Sequence, residues 1–206
     1  MTPAALVSQL LPVLVQIQAR LDEDLALDRL ARLAGLSRFH FLRKFRELTG
    51  ETPKQYVSRL RLERAALRLL LVRSSITDVA LECGFRNHET FSRAFRRHFG
   101  TSPSEYRTSR PRDDRPAGVA VDESHASCVM SRTTYVELED LTVAFVRHVG
   151  PYEDVPPDLW DRLVPRADGP LVLLGIVHDA PGITQPERCR FDAAIQIRSG
   201  STRAAQ

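Results

Sequence analysis

At 206 residues and 43% hydrophobic content, the chain is long enough to bury one or two cores. It has no apolar run of about 18 residues, which excludes a membrane-spanning helix. Its three widely spaced cysteines, Cys83, Cys128 and Cys189, exclude a disulfide framework and a paired metal motif and fit a reducing cytoplasm. The net charge of +3 hides an asymmetry: residues 1–110 hold 19 Lys and Arg against 11 Asp and Glu, whereas residues 111–206 hold 10 against 15. A polyanionic partner is therefore expected for the front half alone.

Leu6, Leu10, Leu14, Ile17 and Leu21 follow helical spacing and predict a first helix packed behind the next two. Pro12 falls inside it and either kinks the helix or marks its first turn. With no basic stretch before it, this segment reads as a helix and not as a signal peptide. Leu27, Leu30, Ala31 and Ala34 predict a second helix, ended by Gly35. Ser37 is the N-cap of a third, Arg38 to Leu48. In that helix Phe41, Phe45 and Leu48 point inward, and Phe39, Leu42, Arg43 and Arg46 fall on the outer faces. Leu42 has two readings, partial packing at a boundary or apolar contact with a thymine methyl group. His40 reads as a packed surface histidine.

Thr52 and Pro53 restart the chain as N-cap and first helical position. From Pro53 to Val72 the composition favours one long helix. Tyr56, Leu60, Ala66 and Leu70 line one of its sides, and it is roughly 30 Å long. Ser75 with Asp78 forms a capping box before the next helix. Val79, Ala80 and Cys83 give that helix its apolar stripe, Gly84 ends it, and Asn87 caps its successor. There Phe91, Phe95 and Phe99 share one face, while His88, Glu89, Ser92, Arg93, Arg96 and Arg97 occupy the others. A short helix braced from behind with a polar, basic outer face is what a helix-turn-helix sets in a major groove.

The unit occurs twice. Phe41-Leu42-Arg43-Lys44-Phe45-Arg46 precedes Phe91-Ser92-Arg93-Ala94-Phe95-Arg96 by 50 residues. Gly50 and Gly100, Pro53 and Pro103, and Tyr56 and Tyr106 keep the same offset, and Ala31 and Gly35 lead Ala80 and Gly84 by 49. Two copies of one unit, joined by a long helix, account for residues 1–108.

Residues 109–132 are rich in proline, small and charged residues and read as a flexible linker. Thr133–Leu138, Thr142–Val149, Leu171–Val177 and Phe191–Ile197 read as strands. Leu159, Trp160, Leu163 and Val164 are spaced for one helix face. The expected order over 133–198 is strand, helix, strand, strand, followed by a disordered tail over 199–206.

Residues 5–107 resemble the DNA-binding domain of the AraC/XylS family of bacterial transcription regulators. The resemblance is carried by Gly35-Leu36-Ser37, Phe41-Leu42-Arg43-Lys44-Phe45, Pro53, Tyr56, Arg61-Leu62, Cys83-Gly84-Phe85, Phe91-Ser92-Arg93-Ala94-Phe95, Ser102-Pro103 and Tyr106. It implies an all-α domain of seven helices in which one chain supplies two reading heads. By position, Phe39, Leu42 and Arg43 of the first reading helix and His88, Glu89, Ser92 and Arg93 of the second would face base edges. Arginine can donate two parallel bonds to guanine, so Arg43 and Arg93 lead. Glu89 would accept from cytosine or simply complement the helix dipole. Arg46, Arg96 and Arg97 would meet phosphates, which position a protein without specifying sequence.

VAFVRHVGPYEDV, GIVHDAPGITQPERCRFDAAIQI and Trp160 resemble the first half of a GyrI-like effector-binding domain. That implies a small α+β half-domain and a small hydrophobic or cationic effector, with Tyr152 and Trp160 as contact residues. Trp160 also has a plain core reading. The second half of that fold is not in the sequence: the chain is truncated, or two chains pair to complete the fold, or the cleft has been lost.

The expected function is sequence-specific regulation of transcription in the cytoplasm. The partners would be double-stranded promoter or operator DNA and RNA polymerase, bound by a monomer or by a homodimer formed through the C-terminal half-domain. No catalytic residues, metal ligands or cofactor are expected, since no nucleophile–base arrangement or metal-spaced cluster occurs. The alternative is a small-molecule-binding or sequestering module in which the GyrI-like half is the active part.

Overall fold

The structure, a computed structural model, describes residues 3–109, 141–164 and 172–197. The chain divides into two units, Met1–Arg112 and Asp113–Gln206.

The first unit is all α: α1 (Pro3–Ala19), α2 (Leu27–Leu33), α3 (Arg38–Thr49), α4 (Pro53–Leu71), α5 (Ile76–Glu82), α6 (His88–Phe99) and α7 (Pro103–Ser109). Local chemistry sets most of the helix starts. Ser37, Thr52, Ser75 and Asn87 each accept a hydrogen bond from the backbone N–H three residues on. Gln55 and Asp78 return the bond and complete two capping boxes. Ser102 and Glu105 close the same exchange at the start of α7. α1 runs through Pro12 without ending.

One core forms beneath the first head. Leu6, Leu10, Val13, Leu14, Ile17 and Leu21 pack with Leu30, Ala31, Ala34, Phe41, Phe45, Tyr56 and Leu60. Leu62, Ala65, Ala66 and Leu69 of α4, with Val79, Ala80, Cys83, Phe91 and Phe95, are buried in the second head. α4 thus serves both. It closes the first head, as α7 closes the second, and it backs α5 and α6 as α1 backs α2 and α3. Successive surfaces of one 19-residue helix are buried in turn, and the two heads share a rigid spine.

The second unit holds an antiparallel three-stranded sheet of β1 (Val143–Val149), β2 (Leu173–Val177) and β3 (Arg190–Gln196), in the order β1-β3-β2. On one face Ala193 and Ile195 pack with Leu159 and Leu163. The expected helix over Leu159–Val164 takes another form. Residues 157–163 are turns, closed by bonds such as Leu159 N–H to Pro156 O and Leu163 N–H to Trp160 O. Pro165 follows this stretch, and a proline disfavours helical backbone at the residue before it, here Val164. Leu159 and Leu163 are buried nonetheless, while Val164 is exposed.

The opposite face is tied by ions. Arg147 donates from Nε and Nη2 to the two oxygens of Asp192 at 2.7 and 2.6 Å, and His178 Nε2 lies 2.7 Å from the same carboxylate. Burial alone would raise the Asp192 carboxyl, but the bonds from Arg147 and His178 outweigh it and hold it below its ordinary value. The expected strand Thr133–Leu138, the expected tail and nearly all of the expected linker lie outside the described residues.

Candidate nucleic-acid interface

The two helices expected to read DNA, α3 and α6, are each held from behind by aromatic rings. In α3 the Phe41 and Phe45 rings lie 5.5 Å apart; in α6 those of Phe91 and Phe95 lie 5.4 Å apart. All four phenylalanines are fully buried. Burying the i, i+4 face fixes which side chains point outward. Phe39 is 73% exposed, Arg43 and Arg46 are exposed, and Leu42 is half-buried. On α6, His88, Glu89, Arg93, Arg96 and Arg97 are exposed and Ser92 is half-buried.

These outer faces carry different chemistry. α3 offers an exposed aromatic ring and a leucine beside Arg43. α6 offers a polar patch in which Ser92 Oγ lies 3.3 Å from His88 Nε2, a pairing whose direction follows the imidazole tautomer. Glu89 sits in the first turn of α6, where a negative charge complements the helix dipole. Arg43, Arg46, Arg93 and Arg97 form no ion pair among the described residues. Arg96 is near enough to Glu105 to help lower that carboxyl. His40 is exposed, with its Nδ1 3.1 Å from Ser37 Oγ.

Both reading helices border one open cleft of about 870 Å³ over α4. Leu42 comes from α3, Asn87 and Thr90 from the start of α6, and Lys54, Val57 and Arg61 from α4, while the acidic segment Asp22-Glu23-Asp24 and the turn Gly84-Phe85-Arg86 also line it. Lys54, Arg86 and Thr90 border this cleft and are not among the residues that the sequence points to for contact with DNA. Arg86 had a visible signal, a cation immediately before the N-cap of the second reading helix.

In the second unit, the Tyr152 hydroxyl is engaged by the backbone: it donates to Asp179 O at 2.8 Å and accepts from Asp179 N–H at 3.1 Å. Burial pushes its phenol up to about 12. Trp160 is partly buried, and its ring meets Phe191 edge-on at 5.7 Å. The structure thus ties the two aromatic candidates into different local packing arrangements. Among the described residues no helix is long and apolar enough to cross a membrane.

A helix-turn-helix domain family model matches residues 30–109. Regulatory protein SoxS of Salmonella typhimurium is 36% identical over 100 residues, covering 48% of this chain and 94% of SoxS. The right origin-binding protein of Escherichia coli K12 is 37% identical over 97 residues, covering 47% of this chain and 34% of that protein. The chain therefore spans about a third of the length of such longer relatives. Among solved structures, the DNA-binding domain of AdpA in complex with a target DNA is 37% identical. It covers 53% of this chain and 97% of that one, with a TM-score of 0.49. An AraC-type regulator from Chromobacterium violaceum is 33% identical over 51% of this chain and 94% of its own, with a TM-score of 0.48. With its duplicated helix-turn-helix on a shared helix and relatives such as SoxS matched over nearly their whole length, the chain belongs to the AraC family of DNA-binding transcription regulators.

Proposed function

We propose that the chain reads a bipartite DNA site with both heads at once, setting α3 and α6 in successive major grooves on one face of the duplex. The observation that carries this is the shared cleft: Leu42 of α3, and Thr90 of α6 with its N-cap Asn87, border the same opening over α4. A shared opening supports placing both helices on one side of their common spine. At 1.5 Å per residue α4 is about 28 Å long, close to the ~34 Å of one DNA turn.

In this reading Arg43 and Arg93 donate to guanine O6 and N7, and Phe39 and Leu42 make apolar contact with thymine methyl groups. His88, Glu89 and Ser92 meet the edges of the second element. Arg46, Arg96 and Arg97 hold phosphates, so affinity falls steeply with salt as counterions return. One chain supplies both heads, so a monomer suffices on DNA. From that position the regulator acts on RNA polymerase at the promoter.

Selection from a random DNA pool at near-physiological salt tests this. The expected motif has two elements about one turn apart. Enrichment of a single element, or of none by a folded protein, overturns two-headed reading.

The C-terminal unit is the place for effector control. Trp160 packs against Phe191 beside Gly175, and this partly buried aromatic pair is the contact we assign to a hydrophobic or cationic compound. Trp160 is the single tryptophan of the chain, so its fluorescence reports such binding directly. Saturable quenching by hydrophobic cations, coupled to a change in DNA affinity, is the expected result. Invariant fluorescence across such a panel overturns the effector role.

A further inference from the structure

Gly35 and Gly84 occupy the same place in the two heads. Each follows the first helix of its unit in the left-handed region, at φ 66° and 80°, where a Cβ is unfavourable. Their surroundings differ. A Cβ at Gly35 would have open space within 4 Å, whereas one at Gly84 would lie 2.7 Å from the Leu21 carbonyl oxygen and 2.9 Å from the Arg61 guanidinium. Leu21 belongs to the first head and Gly84 to the turn of the second. The heads meet here backbone to backbone, at a distance that only glycine permits.

Arg61 of α4 sits in this junction. Its Nε donates to Leu21 O at 2.6 Å and its Nη2 to Glu23 O at 2.7 Å. The two carbonyls belong to the segment between α1 and α2. The planar guanidinium bonds both at once, a fork that lysine cannot reproduce. Asp22 and Asp24 lie near enough to act on its charge. The guanidinium thus ties the segment after α1 to the common spine, directly under the turn that leads into α6.

We propose that Arg61 and Gly84 form a spacer lock that fixes α3 relative to α6 and so sets which separation between two DNA elements the chain accepts. The inference rests on the two-headed reading above. Adding one base pair moves the second element by about 3.4 Å along the axis and by about 35° around it. A locked pair of heads rejects such a site, and an unlocked pair follows it. Arg61 is a positioning residue here, acting through the geometry of the heads.

The test uses the full chain and the selected bipartite site, with one or two base pairs added or removed between its elements. Affinity is measured for wild type, Arg61→Ala, Arg61→Lys, Gly84→Ala and Gly35→Ala, together with thermal unfolding and the salt dependence of binding. Wild type is expected to lose on the order of tenfold or more per base pair of misspacing. Arg61→Ala and Gly84→Ala bind the best spacing more weakly but treat the misspaced sites within a few-fold of it. Gly35→Ala carries the same backbone strain without the contact, and keeps the wild-type spacing profile.

If Gly84→Ala does not fold, Arg61→Lys, which retains charge and loses one bond, decides by the same profile. A wild-type profile in the folded Arg61 variants overturns the lock. So does a salt slope reduced by about one with the profile unchanged, which would make Arg61 a phosphate contact. A wild type indifferent to spacing, or one that uses a single element, overturns the two-headed reading and the lock with it.

Discussion

Phe95 meets Tyr106 edge-on, ring centroids 5.3 Å apart at 80°, and fifty residues earlier Phe45 meets Tyr56 in the same way, at 5.4 Å and 84°. The duplication survives at the level of ring geometry because each pair does the same work. The phenylalanine of the reading helix is clamped by the tyrosine of the helix that closes the head. Phe45 and Phe95 are both fully buried, so Phe45→Ala or Phe95→Ala is expected to cost about 3–5 kcal/mol through lost burial and a residual cavity. Urea unfolding measures this. A loss below about 1 kcal/mol at either site would mean that its head repacks around the gap.

The arginines of the reading helices divide into two groups with different signatures. Arg43→Ala and Arg93→Ala are expected to cost about 1–3 kcal/mol on the preferred site and to relax specificity at one base position each. Arg46→Ala and Arg97→Ala are expected to weaken binding about equally on all sequences and to lower the salt slope by about one each. Binding measured at several salt concentrations on the preferred and scrambled sites separates the two. If Arg43→Ala weakens both sites alike, Arg43 is a phosphate contact.

The parts of this fold legible in the sequence are those set by short-range chemistry. Ser37, Thr52, Ser75 and Asn87 could be read as caps because their partners lie three residues away. The inward phenylalanines could be read because helical periodicity alone dictates their face. Arg61 was visible as part of the family pattern, but its partners were not. They are backbone carbonyls 38 and 40 residues away, and only tertiary placement brings them near. The same holds for the Tyr152 hydroxyl, spent on backbone groups 27 and 38 residues distant. Over Leu159–Val164 the apolar spacing reads as a helix, whereas the backbone forms successive turns that bury the same leucines, so burial spacing alone does not distinguish the two.

Glu105 ties the start of α7 by accepting from Ser102 N–H at 2.8 Å, Ser102 Oγ at 2.7 Å and Thr101 Oγ1 at 3.0 Å. The backbone bond leads, with the two hydroxyls assisting, and together they lower this exposed carboxyl from 4.5 to about 2. A depressed folded-state value stabilises the fold above the unfolded value and is lost as pH falls through the folded one. Wild type is therefore expected to lose its advantage over Glu105→Gln between about pH 4.5 and pH 2. Thermal unfolding of both proteins across that range measures it. A difference that stays constant with pH would show that the charge of Glu105 contributes nothing.

Arg59 is a buried cation of the first unit held between two carboxylates. It is 8% exposed, and it donates to Glu51 from Nε and Nη2 and to Glu63 from Nη1, at 2.9–3.3 Å. Burial by itself would lower the guanidinium, but the Glu51 bonds and the charges of Glu63 and Glu51 outweigh it and raise it above its ordinary value. Its carbon also lies 5.1 Å from the centroid of the Tyr56 ring, part of the same clamp that holds Phe45. Removing Arg59 takes the cation from the buried Glu63 and the half-buried Glu51, and Arg59→Met is expected to cost about 3–5 kcal/mol. Glu63→Leu leaves Arg59 its partner Glu51 and is expected to cost less. The double variant Arg59→Met/Glu63→Leu removes one buried charge of each sign, so it should fall closer to Glu63→Leu than to the sum of the two. A double-mutant cycle by urea unfolding measures the coupling. Strict additivity would mean that Glu63 is held by other contacts and that Arg59 acts through Glu51 alone.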